Sequence, residues 1–176
     1  MDQPDAADVE AAAHGDEAAF ERLVRSQNGR VWRYVVHLIG DAALAEDISQ
    51  EVFLRAHRKL GTLRDPQRFV PWLFSIARNA AYDAGRKRQR RPLELLGDRD
   101  VTGIRHSPDP HVGVEVNDAL AQLDETLREA IVIVGVLGYT YQEAGEIIGV
   151  PEGTVKSRVF RARCRLLELL DTGDGL

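Results

Sequence analysis

Apolar side chains recur every three or four residues from position 16 to 91 and again from 114 to 170, while the stretch 92–113 carries no such repeat. That period marks helices which each bury one face. It restricts the chain to an all-α fold: two small helical domains joined by a flexible linker. In the first domain, residues 16–91, Leu44, Ile48, Val52 and Ala56 stripe a helix over 42–60. Phe69, Leu73, Ile76 and Ala80 stripe another over 68–91. Pro71 fits there because the N–H groups of a first helical turn have no partner within the helix. The periodic stretch 16–37 contains Asn28-Gly29, which predicts a bend between two helices. In the second domain, residues 114–176, Leu120, Leu123, Leu127, Ile131 and Val134 make one continuous stripe. Shorter and longer helices follow over 141–148 and 152–170. Pro92, Pro108 and Pro110 punctuate the linker. Residues 1–15 read as a flexible acidic leader.

Charge is segregated along this frame. The whole chain carries a net −5, which by itself argues against a polyanion partner. Yet Arg86, Lys87, Arg88, Arg90 and Arg91 crowd the end of one helix, and Lys156, Arg158, Arg161, Arg163 and Arg165 line another. Acidic residues gather at the start, at Asp41, Glu46, Asp47 and Glu51, and between 92 and 125. Separation of this kind points to polyanion contact at particular faces. The acidic stretch 92–125 is expected to screen the basic helices when the protein is free.

Composition excludes several classes. No apolar run approaches the ~20 residues of a membrane span. The first twenty residues contain six acids and no Lys or Arg, unlike a targeting peptide, so a cytoplasmic protein is expected. The single cysteine, Cys164, allows no internal disulfide and no cysteine cluster for a metal. His14, His37, His57, His106 and His111 have no metal-binding or catalytic spacing. No metal, cofactor, catalytic residue or small-molecule substrate is expected.

The most specific local signal lies in residues 140–163. A short helix, a turn with Gly149 and Pro151, and an amphipathic basic helix form a helix-turn-helix. At 100° per residue, Val155, Val159, Ala162 and Leu166 share the core face, and Ser157, Phe160, Arg161 and Cys164 lie opposite. Donors on that outer face suit base edges in a major groove, and flanking bases suit phosphates. Thr154, Lys156, Ser157, Arg158, Phe160 and Arg161 are the candidate duplex-reading residues, with Arg161 suited to a bidentate guanine contact. A merely solvated basic helix explains the charge but not the preceding support helix and turn.

Two faces stand out in the first domain. Asp47, Gln50, Glu51, Leu54 and Arg58 lie away from the apolar stripe of their helix. An apolar residue ringed by polar ones is the anatomy of a protein-binding patch, although single exposed leucines are common. The helix over 68–91 interleaves Trp72, Arg78, Asn79, Tyr82, Asp83, Arg86 and Lys87, with Arg64 in the loop before it. Aromatic rings stack on unpaired bases and arginines follow phosphates, so single-stranded nucleic acid is the ligand this pattern suits.

Three motifs in order complete the reading: AEDISQEVFLRAHRKL (45–60), RFVPWLFSIARNAAYDAGRKRQRR (68–91) and LGYTYQEAGEIIGVPEGTVKSRVFRARCRL (137–166). Together they resemble regions 2.2, 2.3–2.4 and 4.2 of the small extracytoplasmic-function (ECF) sigma factors of bacterial RNA polymerase. The resemblance implies a factor that docks on the polymerase core and directs transcription initiation at particular promoters. Asp47, Gln50, Glu51, Leu54 and Arg58 would meet the β′ clamp helices. The loop 61–67 and the following helix would capture the −10 element, and the helix-turn-helix would read the −35 element. An anti-sigma factor is an implied partner. One departure is Ala144-Gly145, where the family usually shows Ile-Ala. Either the support helix is weak there or a neighbour packs unusually close. The alternative is a stand-alone helix-turn-helix regulator, which leaves the Leu54 face unexplained.

Overall fold

The computed structural model of the chain describes residues 4–90 and 113–171. Apart from Gly113, the expected linker lies outside them. The leader is not frayed where it is described: Ala6–Ala13 forms helix α1. The Asp5 carboxylate caps it by accepting from the Ala7 N–H at 2.9 Å, and Val9 is buried. Asp8 pairs with Arg22 of the next helix at 2.6 Å. A single buried valine among alanines and acids gives too little periodic signal to announce a helix, and only docking against its neighbour stabilises one this short.

Helix α2, Glu17–Ile39, starts at the Asp16 cap and ends at Gly40, whose φ of +69° needs a residue without Cβ. It runs through Asn28-Gly29 without the expected bend. Both residues face solvent, and the stripe Leu23, Gln27, Val31, Tyr34 and Leu38 is buried along the whole length. Burial of that stripe outweighs the ~1 kcal/mol a mid-helix glycine costs. Asp41 caps α3, Ala42–Lys59, which buries Ala45, Ile48, Val52 and Ala56. Two 3-10 turns, Leu60–Thr62 and Pro66–Arg68, lead into α4, Phe69–Arg90, with Pro71 in its first turn. Phe69, Leu73, Phe74, Ala77 and Ala81 of α4 point into the core.

The second domain begins with α5, Val114–Ala121, and α6, Glu125–Ile131. The sequence stripe suggested one helix here. The Asp124 carboxylate instead accepts from the N–H groups of Thr126 and Leu127 at 3.0 and 3.1 Å and starts a new one. A π turn, Val132–Val136, follows. Helix α7, Tyr141–Ile148, carries a Thr140/Glu143 capping box, and α8 spans Glu152–Asp171. Among the described residues all regular structure is helical. The apolar residues of both domains join in one buried cluster, so the two domains pack directly on each other.

Candidate nucleic-acid and protein interfaces

The turn between α7 and α8 fixes how α8 is presented. The Gly145 carbonyl accepts from the N–H groups of both Gly149 and Val150, at 2.8 and 3.0 Å. Gly149 has φ of +78°, a left-handed conformation that reverses the chain. A Cβ on Gly145 would stand 2.7 Å from the Val150 carbonyl oxygen. Of the two explanations for this departure from the family pattern, the close neighbour is the one observed.

On α8, Val155, Val159 and Ala162 are buried and Leu166 is half-buried, as the periodicity predicts. Lys156, Ser157, Phe160 and Arg161 therefore face outward. Phe160 is 68% exposed, extreme for a phenylalanine. Lys156 pairs with Glu152 at 2.7 Å, which raises its pKa. Its Nζ also lies 5.8 Å from the Tyr141 ring centre. The Ser157 hydroxyl donates to the Thr154 carbonyl at 3.0 Å, and Arg161 Nε donates to the Ser157 carbonyl at 3.4 Å. Thr154 and Arg158 are half-buried and flank this face. The outer surface thus offers one bare aromatic ring, one loosely held guanidinium and one paired ammonium. Cys164 is exposed on the same helix.

On α3, Asp47, Gln50, Leu54 and Arg58 form one exposed line, and Leu54 is 53% exposed at its centre. Glu51 beside them is half-buried and accepts from Arg55 Nε at 2.7 Å. That hydrogen bond lowers its pKa. The face carries two acids, Asp47 and Glu51, and Leu54 at its centre is left exposed by the rest of the described chain.

The α4 residues divide into two groups. Arg64 in the preceding loop, and Asn79, Arg86 and Lys87 on α4, are exposed. Asp83 and Arg86 form an ion pair. Trp72 is half-buried, its ring 6.1 Å from that of Phe69. Arg78 and Tyr82 lie against the second domain. Arg78 Nε donates to Glu129 Oε1 of α6 at 2.9 Å, and its Nη2 donates to the Ile148 carbonyl at the end of α7 at 2.7 Å. The same Glu129 oxygen accepts from the Tyr34 hydroxyl of α2 at 2.6 Å. Burial, reinforced by the Glu129 charge, pushes the Tyr34 phenol well above its ordinary pKa. Burial and the charges of Glu129 and Glu125 push Tyr82 up to about 12.

Glu129, only 4% exposed, has no counterpart among the sequence-based candidates. Nothing in the string EAIVIV says that its glutamate turns inward, because the partners that donate to it come from 51 and 95 residues away. Further polar contacts surround it. Arg33 donates to the Val136 carbonyl at 3.2 Å, and Arg128 donates to the Leu38 carbonyl at 3.0 Å and the Leu123 carbonyl at 2.8 Å. Phe74 and Tyr139 meet edge to face at 5.8 Å.

The acidic stretch expected to screen the basic helices is described only from residue 113 onward. Within that part, Glu125 acts on Tyr82, and Asp124 stands close enough to Arg161 for their charges to interact. Among the described residues, no group of His, Cys, Asp and Glu could hold a metal ion, and no helix is long and apolar enough to cross a membrane.

Residues 23–91 match the family Sigma-70 region 2, and residues 114–166 match Sigma-70 region 4. The ECF RNA polymerase sigma factor SigC of Mycobacterium tuberculosis is 36% identical over 159 residues, covering 89% of this chain and 85% of that protein. The chain is an ECF sigma factor. Two solved structures share the fold of this ECF sigma factor. CnrH, in complex with the cytosolic domain of CnrY, superposes with a TM-score of 0.72 at 27% identity, over 97% of this chain and 99% of that one. The sigma factor RpoE of Bartonella quintana, in complex with the anti-sigma factor NepR, gives 0.70 at 30% identity, over 86% and 96%. The region 2 match is what a stand-alone helix-turn-helix regulator would lack. Sigma factors are transcription initiation factors, not catalysts themselves.

Proposed function

We propose that this ECF sigma factor docks on the polymerase core through α3 and selects promoters through two separate DNA contacts. The β′ clamp helices would cover Leu54, with Asp47, Gln50, Glu51 and Arg58 as the polar rim. The −35 element would be read in duplex form by Lys156, Ser157, Phe160 and Arg161, with Thr154 and Arg158 positioning the helix on phosphates. The −10 element would be captured by Arg64, Trp72, Arg78, Asn79, Tyr82, Asp83, Arg86 and Lys87, so that binding of unpaired bases offsets the cost of unpairing. The observation that carries the reading is the pairing of Leu54 and Phe160. They are two of the three large hydrophobic side chains exposed among the described residues, and each stands at the centre of a separate polar face.

An anti-sigma factor is a proposed partner, as in the complex of RpoE with NepR. The protein would act in the cytoplasm, without catalysis, cofactor or small-molecule substrate. Transcription by purified core polymerase on a fragmented genomic library tests the proposal. Addition of the protein should yield a small set of start sites sharing a −35/−10 pair. Start sites identical to those of core alone would refute it.

A further inference from the structure

In the described arrangement the surfaces proposed for DNA and polymerase are not equally available. Leu54 of α3 and Phe160 of α8 stand in solvent, while Arg78 and Tyr82 in the middle of α4 are half-buried, Arg78 bonded to the second domain. The contact that holds Arg78 is polar and centred on one carboxylate. Glu129 Oε1 receives the Tyr34 hydroxyl and Arg78 Nε, and the free end of Arg78 reaches the Ile148 carbonyl. A carboxylate this buried is tolerable only with its partners in place. Water can satisfy each of these groups once the domains part, and a nucleic-acid phosphate can take the place of the carboxylate on Arg78. Apolar contact lies beside this polar group, with Phe74 edge to face on Tyr139 in the shared buried cluster, and the polar group decides which side chains of α4 are occupied.

We propose that Glu129 is an internal competitor for the −10-binding arginine: its carboxylate occupies Arg78 in the place of a promoter phosphate and keeps the free sigma factor shut. The inference rests on the assignment of α4 to the −10 element. It orders the steps of initiation for this chain. The α3 face and the −35 helix can engage first, and the Arg78 face becomes available only when the two domains separate. Release of Glu129 is then the step at which docking on polymerase is converted into capture of single-stranded DNA.

The experiment compares wild type with Glu129→Ala and Glu129→Gln in the full chain; both leave every residue assigned to DNA or polymerase in the sequence, and Glu129 itself is assigned to neither. Small-angle scattering reports the radius of gyration. Fluorescence anisotropy reports binding of a labelled pool of random-sequence single-stranded oligonucleotides, and separately of a random duplex, without polymerase. Glu129→Ala should enlarge the radius of gyration and tighten single-strand binding about tenfold, because apparent affinity scales with the fraction of competent molecules. Duplex binding, carried by the already exposed α8, should stay within about twofold of wild type. Glu129→Gln keeps the shape and an acceptor but loses the charge, and should fall between the two. A folded Glu129→Ala protein with the wild-type radius overturns the latch. If that variant loses its helical circular dichroism, an unchanged radius for Glu129→Gln overturns it instead. An enlarged radius with unchanged single-strand binding retains the closure but refutes the competition at Arg78. Core polymerase pull-down by wild type is scored separately, so failure of the sigma-factor docking is distinguishable from failure of the latch.

Discussion

Replacing Gly145 by alanine sets two physical effects against each other with opposite signs. Glycine inside a helix is about 1 kcal/mol less favourable than alanine, so propensity alone makes Gly145→Ala stabilising by that amount. The added Cβ would lie 2.7 Å from the carbonyl oxygen of Val150. That atom is backbone and cannot rotate away. Relief requires α7 and the following turn to separate by roughly half an ångström, and overpacking of this kind costs about 1–3 kcal/mol. The separation would also stretch the bonds from Gly149 and Val150 to the Gly145 carbonyl, now 2.8 and 3.0 Å. We expect a net loss of about 1 kcal/mol, which for a chain of this length lowers the melting temperature by roughly 2–4 °C. Thermal unfolding followed by circular dichroism at 222 nm, about the usual helical minimum, measures it. Because the turn aims α8, affinity for a −35 duplex should fall as well. An increase in stability of about 1 kcal/mol, the full propensity gain, would refute the close-packing argument and leave this glycine without a structural reason.

Three further substitutions test the assigned faces. Leu54→Glu should abolish co-purification with core polymerase, since docking would bury a carboxylate in place of an apolar centre. Its melting temperature should stay near wild type, because the residue is already 53% exposed, and undiminished pull-down would remove α3 from the docking surface. Arg161→Ala should weaken −35 binding by about 1–3 kcal/mol and relax selectivity at one base pair, read by competition with single-base variants of the duplex. Uniform weakening across all variants would reassign it to phosphate. Tyr82 has a folded pKa raised to about 12, so the stability it contributes is complete below the ordinary phenol value near 10 and is lost as pH rises through the folded one. Wild type should therefore lose stability across that window, Tyr82→Phe should lose less, and identical alkaline profiles would show that Tyr82 is not held beside Glu129.

How much was legible in the sequence depended on where the deciding contacts lay. Helix α3 runs from Ala42 to Lys59 and α8 from Glu152 to Asp171, within a residue of the expected limits. Their apolar stripes are complete, and their ends carry local signals. The outward faces of both helices follow from the same period, so Leu54, Phe160 and Arg161 stand out on periodicity alone. The misjudged elements fail for the converse reason. Helix α1 has one buried side chain, so its order comes from α2 rather than from itself. The bend expected at Asn28-Gly29 is absent because tertiary burial on the opposite face overrides a local preference. The break before α6 depends on one carboxylate, Asp124, turning back on the N–H groups of Thr126 and Leu127.

By itself the sequence determined the helical class, the two-part organisation, the helix-turn-helix and the chemistry of each exposed face. All of these rest on periodicity, on turn residues or on motifs whose parts are near one another in the chain. The tertiary structure alone decided that the two domains close on each other, and that Arg78, a residue suited to DNA, is held by Glu129 and the Ile148 carbonyl, with Tyr34 on the same carboxylate oxygen. A net charge of −5 could not reveal this. The energy of a buried carboxylate depends on which donors the fold brings within hydrogen-bond distance, and those donors lie on helices far apart in sequence.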